Sequence, residues 1–488
     1  MSFPKYAKYR DSGVAWLGEV PAHWAVLPIK RCLRSIEQGW SPQCEGFPAE
    51  PGQWGVLKVG CVNGSRFNAD ENKALPASLD PIPALAIRRG DVLVSRANTR
   101  ELVGSVAVAH VDRDKLLLCD KLYRLRTDED RCVPEFLALY LTASAVRSVI
   151  EAAATGASSS MLNIGQAAII GMQIALPPHA EQLAMLAFLG GETAKIDSLV
   201  EEQRRLIELL KEKRQAVISQ AVTKGLNPNA PMKDSGVEWL GRVPAHWSVT
   251  KLKHLVIESV AGPYGASLTK DMYTASGYRV YGQQQVIPDD FEVGDYFISE
   301  EKFEEMRRYS VFEGDVLVSV MGTIGKVAVV PGDAQPGIIN PRLVRYRCSD
   351  RIRARFLQRV LLSQKHQDHL LFEAKGTTMD GLNMSTLGNV PVLVPPIAEQ
   401  ASILESLADA IREIDELVAA ADHAADLLRE RRAALISAAV TGKIDLRDSA
   451  DLLTAWAETK ADIAAGRFVA ESAKAHVARA RAMANPDD

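Results

Sequence analysis

The sequence lacks the features that would place it in a membrane or in an oxidising compartment. No apolar run reaches the length of about 20 residues that a transmembrane helix needs. The opening Met-Ser-Phe-Pro-Lys-Tyr has no apolar core, so no secretory signal is expected. The six cysteines form no Cys-x-x-Cys pair, and we interpret them as reduced thiols of a cytoplasmic protein.

Recognisable catalytic motifs are also missing. Residues 322–327 (Gly-Thr-Ile-Gly-Lys-Val) have the wrong spacing for a P-loop and lack its hydroxyl. His179-Ala-Glu181 resembles the start of a zinc-deaminase signature, but no Pro-Cys-x-x-Cys follows, so no metal site is predicted. Asn340-Pro-Arg342 lacks the second proline and the aromatic residue of an amino-methyltransferase motif. The sequence favours a non-catalytic chain, with an enzyme of unrecognised site as one alternative.

Bulk composition is that of a soluble globular protein with several domains. The 488 residues are 47% hydrophobic and 24% charged, which is ordinary and allows about two to four domains. The formal net charge of −4 argues against nucleic acid covering every face. It leaves DNA binding by one face open, because local patches matter more than the total charge.

An internal repeat is the strongest feature of the chain. Residues 11–24 (Asp-Ser-Gly-Val-Ala-Trp-Leu-Gly-Glu-Val-Pro-Ala-His-Trp) return as residues 234–247 with twelve of fourteen positions identical. Gly-Asp-Val-Leu-Val-Ser occurs at residues 90–95 and again at 314–319, and the landmarks keep their order at offsets of 218 to 224 residues. This period is far too long for a solenoid unit, so the sequence indicates a duplicated domain.

Each copy ends in a long stretch with the pattern of an amphipathic helix. Pro-Pro-x-Ala-Glu-Gln opens both stretches, at residues 177–182 and 395–400, and both close on Ala-Val-Thr. A narrow apolar heptad seam runs among many Glu, Lys and Arg, which predicts two helices that pack on each other. The predicted seam consists of Ile196, Leu199, Leu206, Leu210, Val217, Ile414, Leu417, Leu428 and Leu435.

These landmarks predict an α+β fold that is internally duplicated. Two mixed α/β modules are separated by two long antiparallel, coiled-coil-like helices, which gives approximate two-fold symmetry. Residues after Ile444 are Ala-rich and predicted to be helical. The predicted segments are a first module at 1–179, a first spacer helix at 180–226, a second module at 227–397, a second spacer helix at 398–445 and a tail at 446–488.

Basic residues cluster near loops that are rich in Asn, Ser, Thr and Gly. In the first copy, the residues from Arg88 to Arg100 are predicted to surround one strand end. For any single position a solvated surface charge is the better interpretation, but the sets suit contacts with phosphates and base edges. The candidate DNA-binding residues are Arg88, Arg89, Arg96, Asn98, Arg100, Lys121, Arg124, Ser158, Ser159, Tyr264, Lys302, Arg307, Arg308, Arg342, Arg345, Thr377 and Thr378.

His23 and His246 recur at the same place in the repeat, each followed by a tryptophan. A paired functional site is one interpretation. We favour a Trp–His corner that packs the start of each module, because an indole has a large apolar surface to bury. Neither histidine has a carboxylate near it in the sequence.

The doubled motif set resembles a known family. Asp-Ser-Gly-Val-x-Trp-Leu-Gly-x-Val-Pro-x-His-Trp, Gly-Asp-Val-Leu-Val-Ser and Pro-Pro-x-Ala-Glu-Gln, each present twice, are similar to the landmarks of the two halves of the type I restriction–modification specificity (S) subunit. The resemblance covers about residues 1–445.

The resemblance implies a sequence-specific DNA-recognition subunit with two target-recognition domains, each reading one half of a bipartite site. It implies two methyltransferase subunits that use S-adenosylmethionine and two restriction subunits that use ATP and Mg. The helices would set the spacing and dock the methyltransferase subunits, and this chain itself would bind no cofactor. The alternative from another class is a coiled-coil scaffold that binds proteins and no DNA.

The predicted helix length bears on the spacing of the half-sites. A helix over residues 192–222 would span about 46 Å at about 1.5 Å per residue. One turn of DNA is about 34–36 Å. We therefore expect half-sites that lie about one turn apart or somewhat more.

Overall fold

The computed structural model describes residues 3–110, 112–158, 161–264, 267–375 and 381–447, and for residues 157, 158 and 375 it describes the backbone alone. The chain forms two compact units. The first unit holds the residues up to Gln203 and those from His423 onward, and the second holds Arg204–Asp422. Each unit therefore contains one sequence copy, which we call a module, and one half of each long helix. The predicted tail lies, from residue 448 onward, outside the described residues.

Short strands dominate the first module. The strand Val92–Ser95 is buried at every position, as expected of an apolar run covered on both faces. The elements are β1 (Tyr9–Asp11), β2 (Glu19–Pro21), β3 (Ala25–Pro28), β4 (Leu33–Gln38), β5 (Gly55–Leu57), β6 (Asn72–Ala74), β7 (Ala86–Ile87), β8 (Val92–Ser95), β9 (Ala97–Asn98), β10 (Val106–Val108), β11 (Arg113–Leu117), β12 (Leu122–Thr127), α1 (Pro134–Thr142), α2 (Ser144–Ala153), β13 (Thr155–Ser158), β14 (Met161–Asn163), α3 (Gln166–Gly171), β15 (Gln173–Leu176) and the long helix α4 (His179–Lys224).

Two four-stranded sheets form the body of the first module. One has the order β10-β8-β12-β4 and is antiparallel throughout, while the other has the order β6-β5-β11-β7 with β5 and β11 parallel. A hairpin of β13 and β14 pairs with β9, which directly follows β8. Helix α1 packs on β8 and β10, and Pro134 opens it at a position where its missing N–H is no loss.

The second module repeats this frame with different insertions. Its copy of the Gly-Asp-Val-Leu-Val-Ser strand is again buried at every position. The elements are β16 (Met232–Asp234), β17 (Arg242–Pro244), β18 (Ser248–Lys251), β19 (Val256–Ala261), β20 (Tyr278–Tyr281), α5 (Gln283–Val286), β21 (Phe297–Ile298), α6 (Glu300–Glu305), β22 (Val316–Ser319), β23 (Val327–Val329), β24 (Gly337–Ile339), β25 (Leu343–Cys348), α7 (Ala354–Leu361), α8 (Gln364–Lys375), α9 (Met384–Asn389), β26 (Pro391–Val394) and the long helix α10 (Ile397–Val440).

The sheets of the second module correspond to those of the first. The order β19-β25-β22-β23 matches β4-β12-β8-β10 strand for strand. A second sheet, β21-β20-β24, again pairs its central strand with a parallel neighbour. Met321, just after β22, forms an isolated bridge with Gly381. The shared sheet and its covering helices are the frame, and the second sheets and connecting loops are the parts that differ.

Halves of the long helices pack together within each unit. In the first unit, α4 residues such as Leu186 share a core with α10 residues such as Leu435. In the second unit, Ile218 of α4 and Leu407 of α10 share another core. Among the predicted seam residues, Ile196, Leu210, Ile414 and Leu435 are buried and Val217 and Leu428 are half-buried.

The remaining seam predictions are wrong in phase. Leu199, Leu206 and Leu417 are 43%, 43% and 47% exposed. On α4, Val200 and Ile207 are buried in place of the two predicted leucines, each one residue later. A heptad pattern can be placed in more than one phase, and leucines on a neighbouring stripe of the helix gave the competing phase equal apolar content. The seam itself is present: one of its two rows lies where it was predicted, and the second row on α4 lies one residue later.

The predicted fold class is confirmed: an internally duplicated α+β chain with two mixed modules and two long helices that pack on each other. Among the described helices, no single one is both long and apolar enough to cross a membrane. Helices α1 and α2 meet those two criteria only when they are joined across a 73° bend.

Candidate nucleic-acid interface

One carboxylate fastens the start of the first module to the start of α4. The indole Nε1 of Trp24 donates to Glu181 Oε1 at 3.1 Å, and His23 Nε2 lies 2.9 Å from Glu181 Oε2. The hydroxyl of Tyr6 donates to the same carboxylate. Trp24 is buried in the core of its unit, so the corner packs the module as predicted. Its carboxylate partner comes from the Pro-Pro-x-Ala-Glu-Gln motif, far away in the sequence.

The second unit repeats this arrangement at the start of α10. Trp247 Nε1 donates to Glu399 Oε1 at 3.1 Å, and His246 Nε2 lies 2.7 Å from Glu399 Oε2. The carboxylate of Glu399 is 29% exposed, against 5% for Glu181. We call these two arrangements the Glu anchors.

The glutamine that follows each of these glutamates ties the helix to the module a second time. Gln182 accepts from the backbone N–H of Val133 at 2.9 Å and donates to the carbonyl of Arg131 at 2.8 Å. Gln400 makes the same two contacts with the residues just before α7, at 2.9 and 3.0 Å. Each glutamine side chain thus pairs with backbone groups just before α1 or α7, which the start of that helix would otherwise leave without a partner.

A buried ion-pair cluster surrounds the aspartate of the Gly-Asp-Val-Leu-Val-Ser motif in the first module. Asp91 Oδ1 accepts from Arg126 Nε at 2.9 Å, and Asp91 Oδ2 lies 3.7 Å from Arg124 Nη1. Arg124 also donates to the carbonyls of Ala84 and Ala86 and to the carboxylate of Glu37. Its side chain is fully buried.

The same cluster recurs in the second module. Asp315 accepts from both Arg345 and Arg347 at 3.0 Å, and Glu258 lies 3.0 Å from each of these arginines. The hydrogen bond from Arg345 holds the pKa of Glu258 below its usual value, and the hydrogen bond to Asp315 raises the pKa of Arg347. Both shifts favour the charged forms of Glu258 and Arg347.

Arg124 and Arg345 are therefore not DNA contacts, and that prediction is wrong. Their side chains are 0% and 2% exposed, and their guanidinium groups are occupied by carboxylates inside the module. A DNA phosphate or base edge needs an accessible donor. In the sequence, the charge of these two arginines suggested a surface position. In the structure, carboxylates from other segments of the module pair with them and offset the free-energy cost of burying the charge.

The other basic residues of the first module lie at two ends of β8. Arg88 and Arg89 precede the strand, and their backbone N–H groups donate to Asp91 and Asp112. Arg96 follows the strand at its other end. The prediction that all of these residues surround one strand end is wrong, because β8 lies between Arg88 and Arg89 on one side and Arg96 on the other.

The end of β8 that carries Arg96 is where several loops of the first module meet. The N–H of Arg96 donates to the carbonyl of Lys121 at 2.8 Å, and the N–H of Ile164 donates to the carbonyl of Arg96 at 2.9 Å. Asn98 lies on β9 beside the hairpin, and its buried Nδ2 has no hydrogen-bond partner among the described residues. Arg100 and Lys121 are exposed. We call this convergence the first loop edge.

The candidates of the second module are distributed more widely. Arg342 is exposed just before β25, and Tyr264 is 69% exposed. On and after α6, Lys302 pairs with Glu305 and Arg307 with Glu304, and Arg308 is exposed. Ser159, Thr377 and Thr378 lie outside the described residues, and Ser158 is described only as the last backbone position of β13.

Comparison with known proteins agrees with these repeated landmarks. Residues 265–420 match the family model described as the type I restriction modification DNA specificity domain. Over 171 residues, 35% of this chain, the sequence is 33% identical to the EcoEI specificity subunit of Escherichia coli, covering 29% of that protein. Over 88% of this chain and 96% of the relative, it is 21% identical to the putative MjaX specificity subunit of Methanocaldococcus jannaschii.

The chain is similar to type I restriction specificity subunits.

A solved structure shows that the likeness extends to the fold. A chain from work on complex assembly and conformational transition of the type I R-M system superposes with a TM-score of 0.64 at 16% identity, covering 86% of this chain and 98% of that one. In this fold, the Glu anchors and the Asp–Arg clusters belong to the frame of both modules. The first loop edge and its counterpart near Arg342 are the exposed positions where the two modules differ.

Proposed function

We propose that this chain is the DNA-recognition subunit of a type I restriction–modification complex and that each module reads one half of a bipartite site. The observation that carries the proposal is the contrast between frame and loops. Both modules keep the same anchored sheet and buried ion-pair cluster, while different exposed polar and basic side chains stand on the loops. Two copies of one frame with different loops suit two different half-sites.

Partners and cofactors follow from the same proposal. We infer two methyltransferase subunits and two restriction subunits, with S-adenosylmethionine, ATP and Mg held by those partners and none by this chain. The exposed leucines of the long helices support docking of other subunits, because large apolar side chains on a helix face favour a protein partner. They are Leu199 and Leu427 in the first unit and Leu206, Leu209 and Leu417 in the second. A cytoplasmic location agrees with this assignment.

Mapping of methylated adenines in the source cell tests the function. We expect a split motif whose methylation disappears when the gene is deleted and returns when it is restored. The purified chain alone should transfer no methyl groups, cut no DNA and hydrolyse no ATP. A methylation pattern that is unchanged by the deletion would contradict the proposal and favour the protein-binding scaffold.

Salt-dependent DNA binding tests which end of β8 faces the duplex. In the assembled complex, Arg96→Ala and Arg100→Ala should each reduce the slope of log affinity against log salt by about one if each contacts a phosphate. Arg88→Ala is the matched control, since it removes the same charge from the opposite end of the strand. A reduced salt slope for Arg88→Ala, with an unchanged slope for Arg96→Ala and Arg100→Ala, would place the DNA at the end of β8 that carries Arg88.

A further inference from the structure

A side-chain network fixes one exposed arginine of the second module. Gln283 opens α5 and donates through Nε2 to the carbonyl of Met321 at 2.6 Å and to that of Thr323 at 3.2 Å. Its Oε1 then accepts from Arg342 Nη1 at 3.3 Å. The amide of Gln283 thereby connects the loop after β22 to the residue just before β25.

The backbone of Arg342 is held as firmly as its side chain. Its N–H donates to Asn340 Oδ1 at 2.9 Å, and its carbonyl accepts from the N–H of Val320 at 2.9 Å. Gly322 stands opposite Gln283 with φ +70°, and a Cβ there would lie 3.6 Å from Gln283 Oε1. The remaining guanidinium donors of Arg342 have no partner among the described residues, and the side chain is exposed.

The first module places a basic residue at the same point of the frame. Lys121 directly precedes β12, as Arg342 directly precedes β25. The carbonyl of Lys121 accepts from Arg96 N–H at 2.8 Å, just as that of Arg342 accepts from Val320 N–H. One frame position therefore carries a different basic side chain in each module, which is the pattern expected of a residue that reads the target.

We propose that Arg342 reads a guanine in the half-site of the second module and that Gln283 is the positioning residue that orients it. The inference rests on the proposed function. A hydrogen bond at one guanidinium nitrogen restricts the orientations of the other donors, and arginine matches the N7 and O6 acceptors of guanine with two parallel hydrogen bonds. Holding the side chain before binding also reduces the entropy lost when the contact forms.

Three variants of the full chain, each expressed in the deletion strain and scored by methylated-adenine mapping, test the inference. Arg342→Ala should relax one guanine position in a single half-site, with discrimination there falling roughly 5- to 150-fold. Gln283→Ala should relax the same position to a smaller extent. Gln284→Ala is the matched control because it removes the same kind of side chain one residue further on, where no bond to Arg342 is made. It should leave the motif unchanged.

The double variant of Gln283 and Arg342 distinguishes a positioning role of Gln283 from a general effect on stability. If Gln283 acts through Arg342, adding Gln283→Ala to Arg342→Ala should change the base preference no further. Relaxation by Arg342→Ala with none by Gln283→Ala would overturn the positioning role, and a motif unchanged by Arg342→Ala would overturn the reading role. Loss of both half-sites together, with a lowered unfolding temperature, would show a folding defect and overturn the assignment. In each of these outcomes, a wild-type motif that depends on the gene keeps the proposed function intact.

Discussion

Arg432 Nε lies 2.9 Å from Asp197 Oδ1, joining α10 to α4 within the first unit. The same pair recurs in the second unit, where Arg214 Nε lies 3.3 Å from Asp415 Oδ1. Positions 197 and 415 are 218 residues apart, and so are positions 214 and 432. An ion pair at the same repeat position in both units is well placed to set the register of the antiparallel helices.

Reversing the first pair should show this register role. Asp197→Arg alone places two arginines together and should lower the free energy of unfolding by about 1 kcal/mol, since both side chains are partly exposed. Adding Arg432→Asp should recover most of the loss, as measured in urea at low salt. The reversed pair in the second unit, Asp415→Arg with Arg214→Asp, is the matched control and should behave alike. Failure of either double variant to recover would argue against pairing.

The two Glu anchors should differ in strength. Glu181→Ala leaves a buried indole N–H and a tyrosine hydroxyl without an acceptor, which should cost about 2–4 kcal/mol. Glu399→Ala removes the partner of the Trp247 indole and of His246 but strands no tyrosine hydroxyl, and this carboxylate is more exposed, so the loss should be about 1–2 kcal/mol. Glu181→Gln retains an acceptor and should lose less than Glu181→Ala. Tryptophan fluorescence during urea unfolding measures each loss, and equal losses for both alanine variants would contradict the comparison.

The second unit should lose stability in mild acid through His366. Burial lowers the pKa of this histidine to about 4, whereas the unfolded chain titrates near 6.5. The unfolded state then binds the proton more tightly, so this stability is complete above about pH 6.5 and falls by about 3 kcal/mol toward pH 4. His366→Gln should flatten that pH dependence of unfolding.

His369→Gln is the control for the histidine prediction. His369 lies on the same helix as His366, and its ring stacks on Trp239 at 4.5 Å. The ring of His366 meets the same indole edge-on at 5.0 Å, so either variant removes one aromatic contact with Trp239. The acid sensitivity should persist in this variant. Equal pH profiles for both glutamine variants would contradict the assignment to His366.

The long helices should act as a ruler for the half-site gap. A four-residue insertion after Thr223 is the simplest test suggested by the sequence, but Val222 is buried there in the core of the second unit. A better site is after Leu206 in α4, matched by one after Asp422 in α10. Four residues add about one turn, or about 6 Å, and keep the seam on nearly the same face.

Methylation mapping of that double-insertion chain gives a direct measure of the gap. DNA rises about 3.4 Å per base pair, so the preferred gap should grow by about one or two base pairs. The bases read at either end should stay the same. An unchanged gap, or new bases with the old gap, would rule out the ruler.

Sequence repetition was enough to predict the frame because both copies carry it. Glu181 and Glu399 were visible in a repeated motif, but their partnership with the tryptophans joins residues more than 150 positions apart. Local patterns do not encode such a contact. The phase of the helix seam was likewise hidden, since only the partner helix decides which apolar stripe is covered.

A stricter use of the repeat would have identified the buried arginines. Arg124-Leu-Arg126 and Arg345-Tyr-Arg347 stand at the same offset in both copies. A residue kept in two modules whose loops differ belongs to the frame. Gln283 shows the reverse difficulty: it has no repeated counterpart, so only its three-dimensional contacts with Met321 and Arg342 point to a role.

The Glu anchors also affect how such a gene can change. Each anchor is written in a short motif that occurs twice in one chain, at residues 177–182 and 395–400. A genetic crossover between the two motifs, or between equivalent motifs of related genes, would replace the module before the junction. The incoming module would meet a glutamate already placed for its Trp–His corner and a glutamine already placed for the backbone just before its helix, so a new half-site preference could be inherited in a single recombination event.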